Sequence, residues 1–269
     1  MDLLKRKLAP ILPDAWKLID QEAARVLRLH LAGRKIVDFQ GPFGWKFAAV
    51  NTGRLTILPD PAPEVGLGIR EVQPLVEARI PIKLSSMELD TVARGAEDPD
   101  LDPVVAAAEK IALLEDTAIF NGLPSGKIRG ILETSSHTAL PLPADIHELP
   151  LAILEAKDIL RRNGVNGPYA LILGTDLYDK VFGLVDDGYP LSKRIGTQIV
   201  DKIFRASAVD GAAVISLRGG DYELTVGQDL SIGYAFHSRD EIELYITESF
   251  TFRVLEPSAS VRLVRVTAA

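Results

Sequence analysis

The sequence predicts an α+β fold, and three observations predict it. Trp16, Ile19, Ala23, Val26 and His30 recur on one helical stripe, with Leu27 and Leu31 beside it. Val76, Ala78, Ile80, Ile82 and Leu84 alternate at the period of a strand with one apolar face. Residues 135–222 then switch repeatedly between the two periods, and the remainder reads as strand.

Taken in order, residues 2–8 form a short basic amphipathic turn closed by Pro10 and Pro13. Asp14 stands where a helix N-cap belongs, and the first helix is predicted over 14–32, with Gly33 as its stop. Residues 34–50 read as strand, broken by the turn Gly41-Pro42-Phe43-Gly44. A tip containing Pro59, Pro61 and Pro63 is flanked by Arg54–Leu58 and Val72–Leu84, which predicts a long two-stranded ribbon with one apolar face. Such a ribbon is not stable alone in water, so a neighbouring copy is its expected support. A short helix near Ser86–Arg94 and an acidic loop precede a long helix, predicted over 103–121 from its Asp102-Pro103 start and Gly122 stop. The alternating region offers a helix at 149–163, strand Tyr169–Leu173, helices at 175–185 and 190–204, and strand Ala212–Leu217. Strands Tyr222–Val226, Ser231–Phe236, Glu241–Ile246 and Phe250–Leu255 close the chain, and no internal repeat is present.

The 269 residues carry a net charge of −7, and this acidic balance argues against packaging nucleic acid, which requires a basic face. Cysteine is absent, which removes disulfides and thiolate metal sites. Met1–Arg6 lacks the apolar core of a signal peptide and no apolar run reaches membrane-spanning length, so a soluble cytoplasmic protein is expected.

Catalytic constellations are missing. His30, His137, His147 and His237 include no pair at metal-ligand spacing. Gly122–Lys127 has one residue too few for a phosphate loop, and Gly66-Leu67-Gly68 lacks the third glycine of a dinucleotide fingerprint. No enzyme activity, metal or cofactor is expected. The acidic stretch Glu97–Asp102 lacks the glycine and final glutamate of a calcium loop and reads as a solvated loop ending in a helix cap. Asp186-Asp187-Gly188-Tyr189-Pro190 reads as a turn between helices; repeated around a ring of copies it would place carboxylates about one hole.

Gly41–Trp45, Glu115-Asp116-x-x-Ile119-Phe120-x-Gly122, Gly167-Pro168-Tyr169, Arg218–Leu224, Gly227–Tyr234 and Glu248–Phe252 together resemble the type 1 encapsulins, or linocin-like family, across the whole chain. That resemblance implies a tailed-phage major-capsid-like (Hong Kong 97 type) fold. It assigns residues 1–50, 85–134 and 223–269 to a peripheral domain, 51–84 to an extended loop, and 135–222 to an axial domain. It further implies a closed icosahedral homo-oligomer of about 60 copies, the number of equivalent positions in that symmetry. The cage would hold a ferritin-like protein or a dye-decolourising peroxidase through the cargo's C-terminal tag, in iron storage or oxidative-stress defence. Carried over, the cargo groove comprises Leu27 and Leu31 on the exposed side of the first helix, then Arg34, Ile36, Asp38, Leu230, Ile232 and Tyr234, apolar anchors with a few charges to set peptide direction. Asp186, Asp187, Gly188 and Tyr189 border a pore. Some encapsulins stack flavin on a Trp just before Glu-Leu-Asp; Met87 occupies that position here, so no flavin is expected. The phage subunits usually carry an N-terminal scaffolding segment that this sequence lacks, which places a prophage capsid protein second. A hydrolase or bacteriocin, a label the family has carried, finds no nucleophile–base pair.

Overall fold

A computed structural model of the protein describes residues 3–59, 64–186 and 188–265, with Asp186 in its backbone only. Helix α1 (Pro13–His30) opens with Leu12 as cap and Pro13 in its first turn, and buries Ala15, Trp16, Ile19, Ala23 and Val26. A 3₁₀ turn, Gly33–Lys35, leads into strand β1 (Asp38–Gln40). Strands β2 (Ala49–Leu58) and β3 (Leu67–Pro74) pair antiparallel as the projecting ribbon. Strand β4 (Val76–Ser85) runs into α2 (Ser86–Ala93), where the Ser85 hydroxyl caps the Glu88 N–H. Next come the long α3 (Asp102–Phe120), the single turn α4 (Ile131–Thr134), β5 (Leu140–Leu142), α5 (Leu149–Arg162) and β6 (Tyr169–Leu173). After α6 (Thr175–Gly183), a hairpin of β7 (Val185–Asp186) and β8 (Tyr189–Pro190) precedes α7 (Leu191–Gln198) and β9 (Lys202–Arg205). Strands β10 (Ala212–Ser216), β11 (Tyr222–Val226), β12 (Ser231–His237), β13 (Glu241–Val254) and β14 (Ser260–Arg265) complete the chain.

Two sheets organise these elements. In the first, the fourteen-residue β13 is the backbone of the assembly. β11 pairs with its C-terminal part, β12 with its N-terminal part, and β4 runs along the opposite edge from Glu241↔Ser85 to Phe250↔Val76. β1 flanks β11 in parallel. Helices α1 and α3 cover one face, and Ala78, Ile82, Leu84, Ile232, Tyr234, Ile242, Leu244 and Ile246 pack there against Val104, Ala107 and Ile111. The second sheet has the order β5-β14-β10-β6-β9. Two of its three inner strands, Tyr-Ala-Leu-Ile-Leu and Ala-Ala-Val-Ile-Ser, are buried at every position, the signature of a sheet covered on both faces.

Five readings of the sequence change. The alternating Val76–Leu84 segment is not the ribbon's second arm but β4 of the first sheet; alternation records one covered face, which β4 has and the ribbon lacks. The arm that pairs with β2 is β3, and residues 76–84 therefore leave the extended loop. The ribbon carries apolar side chains on both faces, with Leu55 and Ile57 on one and Leu58, Leu67 and Ile69 on the other. The helix predicted over 190–204 ends at Gln198, and β9 follows as a parallel partner of β6. The last two strands expected between 241 and 255 are one, because Thr247, Glu248 and Ser249 are buried polar residues and not a solvated break. Finally, β14 lies between β5 and β10, so residues 260–265 join the second sheet and not the peripheral unit.

Candidate functional site

Where α1 ends, the chain turns against the C-terminal part of α3. Gly33 makes this approach possible, since a Cβ there would lie 2.5 Å from the Ile119 side chain. The buried Asp116 carboxylate accepts the backbone N–H groups of Ala32 (3.0 Å) and Gly33 (2.8 Å), fixing the turn. Arg34 then directs its guanidinium inward. Nε and Nη2 donate to Glu115 at 2.7–3.0 Å, Nη1 donates to Asp229 at 2.9 Å, and Nη2 also donates to Glu248. Glu115 and Glu248 are wholly buried. Desolvation pushes Glu248 well above the ordinary carboxylate range, helped by the neighbouring Glu115 and against the pull of Arg34.

The residues carried over as a cargo groove take three different roles, with Ile36 in one buried cluster and Ile232 and Tyr234 in another. Leu27 and Leu230 are half-buried on the rim of the helix-covered core. Leu31 and Ile36 are buried, as are Ile232 (4% exposed) and Tyr234. The first-helix side expected to be exposed at Leu31 is therefore core, and Ile232 and Tyr234 face the helices because β12 shares the inward register of Ile246 and Leu244. The two charges already have internal partners. Arg34 is spent on Glu115, Glu248 and Asp229, and Asp38 accepts the Gly220 N–H at 2.6 Å. That bond explains the Arg218-Gly219-Gly220-Asp221 motif: both glycines have φ near +80°, a conformation that disfavours any side chain, and Arg218 forks onto Asp221.

Sequence reasoning missed two features here. Phe39 is 38% exposed on β1, with the Arg34 guanidinium 5.2 Å from its ring centre, an aromatic surface next to Leu230's connection. The N-terminal segment also lies along the outer edge of β12: the Leu4 carbonyl accepts the Tyr234 N–H (2.8 Å) and the Leu3 carbonyl accepts the Tyr245 hydroxyl (3.0 Å). Arg6 holds this strap by a two-pronged pair with Asp20 and by stacking over Trp16 at 3.9 Å. The signal was Arg6 itself, one of the charges of the basic turn.

The turn at 186–189 is a hairpin tip and not a plain loop between helices. Asp186 pairs with Tyr189 across it, Gly188 has φ +80°, and Tyr189 is exposed. Asp187 lies outside the described residues. Met87 is 70% exposed on α2. Among the described residues no group of three or more His, Asp or Glu side chains is arranged to hold a metal, and no helix is long and apolar enough to cross a membrane.

The family described as Linocin_M18, encapsulating protein for peroxidase, matches residues 1–251. A type 1 encapsulin shell protein from Rhodospirillum rubrum is 45% identical over 98% of this chain and 96% of its own. Among solved structures, a virus-like particle from Pyrococcus furiosus superposes with TM-score 0.65 at 14% identity, covering 91% of this chain and 98% of the other. The capsid of the Myoviridae phage XM1 gives TM-score 0.55 at 13% identity over 88% and 92%. The fold is thus that of tailed-phage capsid subunits, and the named relatives are structural shell proteins and not enzymes. Matched from its first residue into β13 and over nearly all of a named shell protein, the chain belongs to the type 1 encapsulin shell proteins.

Proposed function

We propose that this chain assembles with about sixty copies of itself into a closed icosahedral cage, a symmetry that gives each copy an equivalent place. The observation that carries this is the ribbon. Among the described residues β2 and β3 form a sheet of two strands, yet Leu55, Ile57, Leu67 and Ile69 are exposed on them, Ile57 by 71%. A two-stranded ribbon with apolar side chains on both faces needs cover from other molecules, and neighbouring subunits supply it in a closed shell.

The cage is proposed to work in the cytoplasm and to enclose a cargo enzyme carrying a C-terminal tag. A dye-decolourising peroxidase or a ferritin-like protein fits, in oxidative-stress defence or iron storage; the family's own description names a peroxidase. The tag's apolar anchors would rest on the rim formed by Leu27, Phe39 and Leu230, with Ile232, Tyr234, Leu31 and Ile36 as the floor beneath. The hairpin tip at Asp186–Tyr189 would border the pore for small ions, its carboxylates favouring cations.

Electron microscopy of the purified protein, with mass spectrometry of what copurifies, tests this reading. Closed shells containing a tagged enzyme support it. A 29.2 kDa monomer would overturn it, and particles filled with nuclease-protected DNA would favour a prophage capsid instead.

A further inference from the structure

One buried oxygen is out of place. Glu248 Oε1 accepts from Arg34, but its Oε2, fully enclosed, has no hydrogen-bond partner. A buried carboxylate oxygen without a donor is costly, whereas the same atom protonated becomes a donor itself. The charges around it say which form is present. Arg34 from the turn after α1 faces Glu115 from α3, Glu248 from β13 and Asp229 from the β11–β12 connection. Asp116 of α3 stands beside them, with Lys35 near it. From β4, Ala78 is the residue paired with Glu248, and its charged neighbours Glu77 and Arg79 project from the opposite face. One guanidinium therefore confronts three carboxyl groups, two of them wholly buried.

We infer that Glu248 is held as a carboxylic acid that donates a hydrogen bond to Glu115, making the Arg34 cluster a proton-operated latch between α1, α3 and the first sheet. With the proton in place, Arg34 neutralises Glu115, the Asp229 charge stays at the half-exposed margin, and Glu248 Oε2 gains a partner in Glu115. When base removes it, the proton leaves to solvent and two buried carboxylates share one cation. The repulsion is relieved only by loosening the turn at 31–36 or the connection at 227–230, the two segments the cluster ties down.

The sign follows from the raised affinity for the proton. Glu248 binds it more tightly folded than unfolded, so the stability this site contributes is complete below the ordinary glutamate range and is lost as pH rises through the folded value. Asp116 behaves likewise: burial lifts it to about 7 against the two backbone N–H bonds, with Glu115 adding to the rise and Lys35 opposing it. One proton changes the opening equilibrium by at most about tenfold per pH unit.

The test is amide hydrogen exchange on the assembled protein between about pH 6 and about pH 9, corrected for the intrinsic rate at each pH, and read at peptides covering 31–36 and 227–231. The parent should lose protection there as pH rises, while β6 and β10 do not. E248Q, which keeps the shape and a donor but cannot ionise, should hold protection across the range at 227–231, the segment tied by Asp229 and not by the Asp116 turn. Equal pH dependence in parent and E248Q overturns the inference. Should E248Q fail to fold, infrared spectroscopy of the parent decides. A buried carboxylic acid C=O stretch at neutral pH that vanishes in alkali supports the latch, and its absence at neutral pH overturns it.

Discussion

Arg34 grips the wholly buried Glu115 with both Nε and Nη2, at 2.7–3.0 Å, across 81 residues of chain. This pair joins the end of the first helix to the spine helix, and it converts a residue expected to read a peptide into one that organises the subunit. Removing one partner of a buried pair strands the other charge, at a cost of roughly 3–5 kcal/mol. R34L should therefore give largely insoluble subunit, or a shell whose thermal unfolding midpoint falls by many degrees. R34K, lacking the planar fork, should recover only part of the loss. Differential scanning calorimetry of both variants measures this; parent-like unfolding in R34L would show that the cluster is not stabilising.

The ribbon prediction separates folding from assembly. Asn51 and Val72 face one another at its root, so a short glycine turn can replace residues 53–70 without touching either sheet. The truncated subunit should retain parent-like circular dichroism yet run as a small species in light scattering. Intact cages from it would remove the ribbon from the assembly interface.

At the hairpin, replacing Asp186 and Asp187 by Asn should leave shells intact and slow cation entry, since a ring of carboxylates concentrates cations at a narrow opening. Iron uptake by an enclosed ferritin-like protein at low ionic strength is the readout. Unchanged rates would place the conducting path elsewhere.

Cargo binding is best probed on the rim. An Ile232→Asp change now reads as damage to the core, because the residue is enclosed between sheet and helices. L230D, at a half-buried position, should spare the shell and weaken a tagged fluorescent protein by about tenfold or more. An apolar anchor is worth roughly 1.5–3 kcal/mol, and about 1.4 kcal/mol is a decade in affinity. The high local concentration inside a cage softens this, so loading is measured per shell at limiting cargo. Equal fluorescence per shell in parent and L230D would mean the tag sits elsewhere.

Local chemistry made much of this protein legible in its sequence. The stripe from Trp16 to Val26, the Asp102-Pro103 start of the spine helix and the apolar runs 169–173 and 212–215 each report their own surroundings, because periodicity records which faces are covered. The turn glycines at 219 and 220 were legible as a motif, though their purpose, receiving Asp38, was not. What covers a face is a separate matter. The alternation of β4 showed one buried side but not that α3 and β13 would meet it, so it was assigned to the ribbon. Glu248 was readable only as a polar residue in a break between two strands, and Arg34 only as a charge free to read a peptide. Pairing between residues 34, 115, 229 and 248 depends on where distant segments cross, and no local propensity encodes that. Tertiary structure alone decided which polar groups went inside, since a charge can be buried only where the fold brings it a partner.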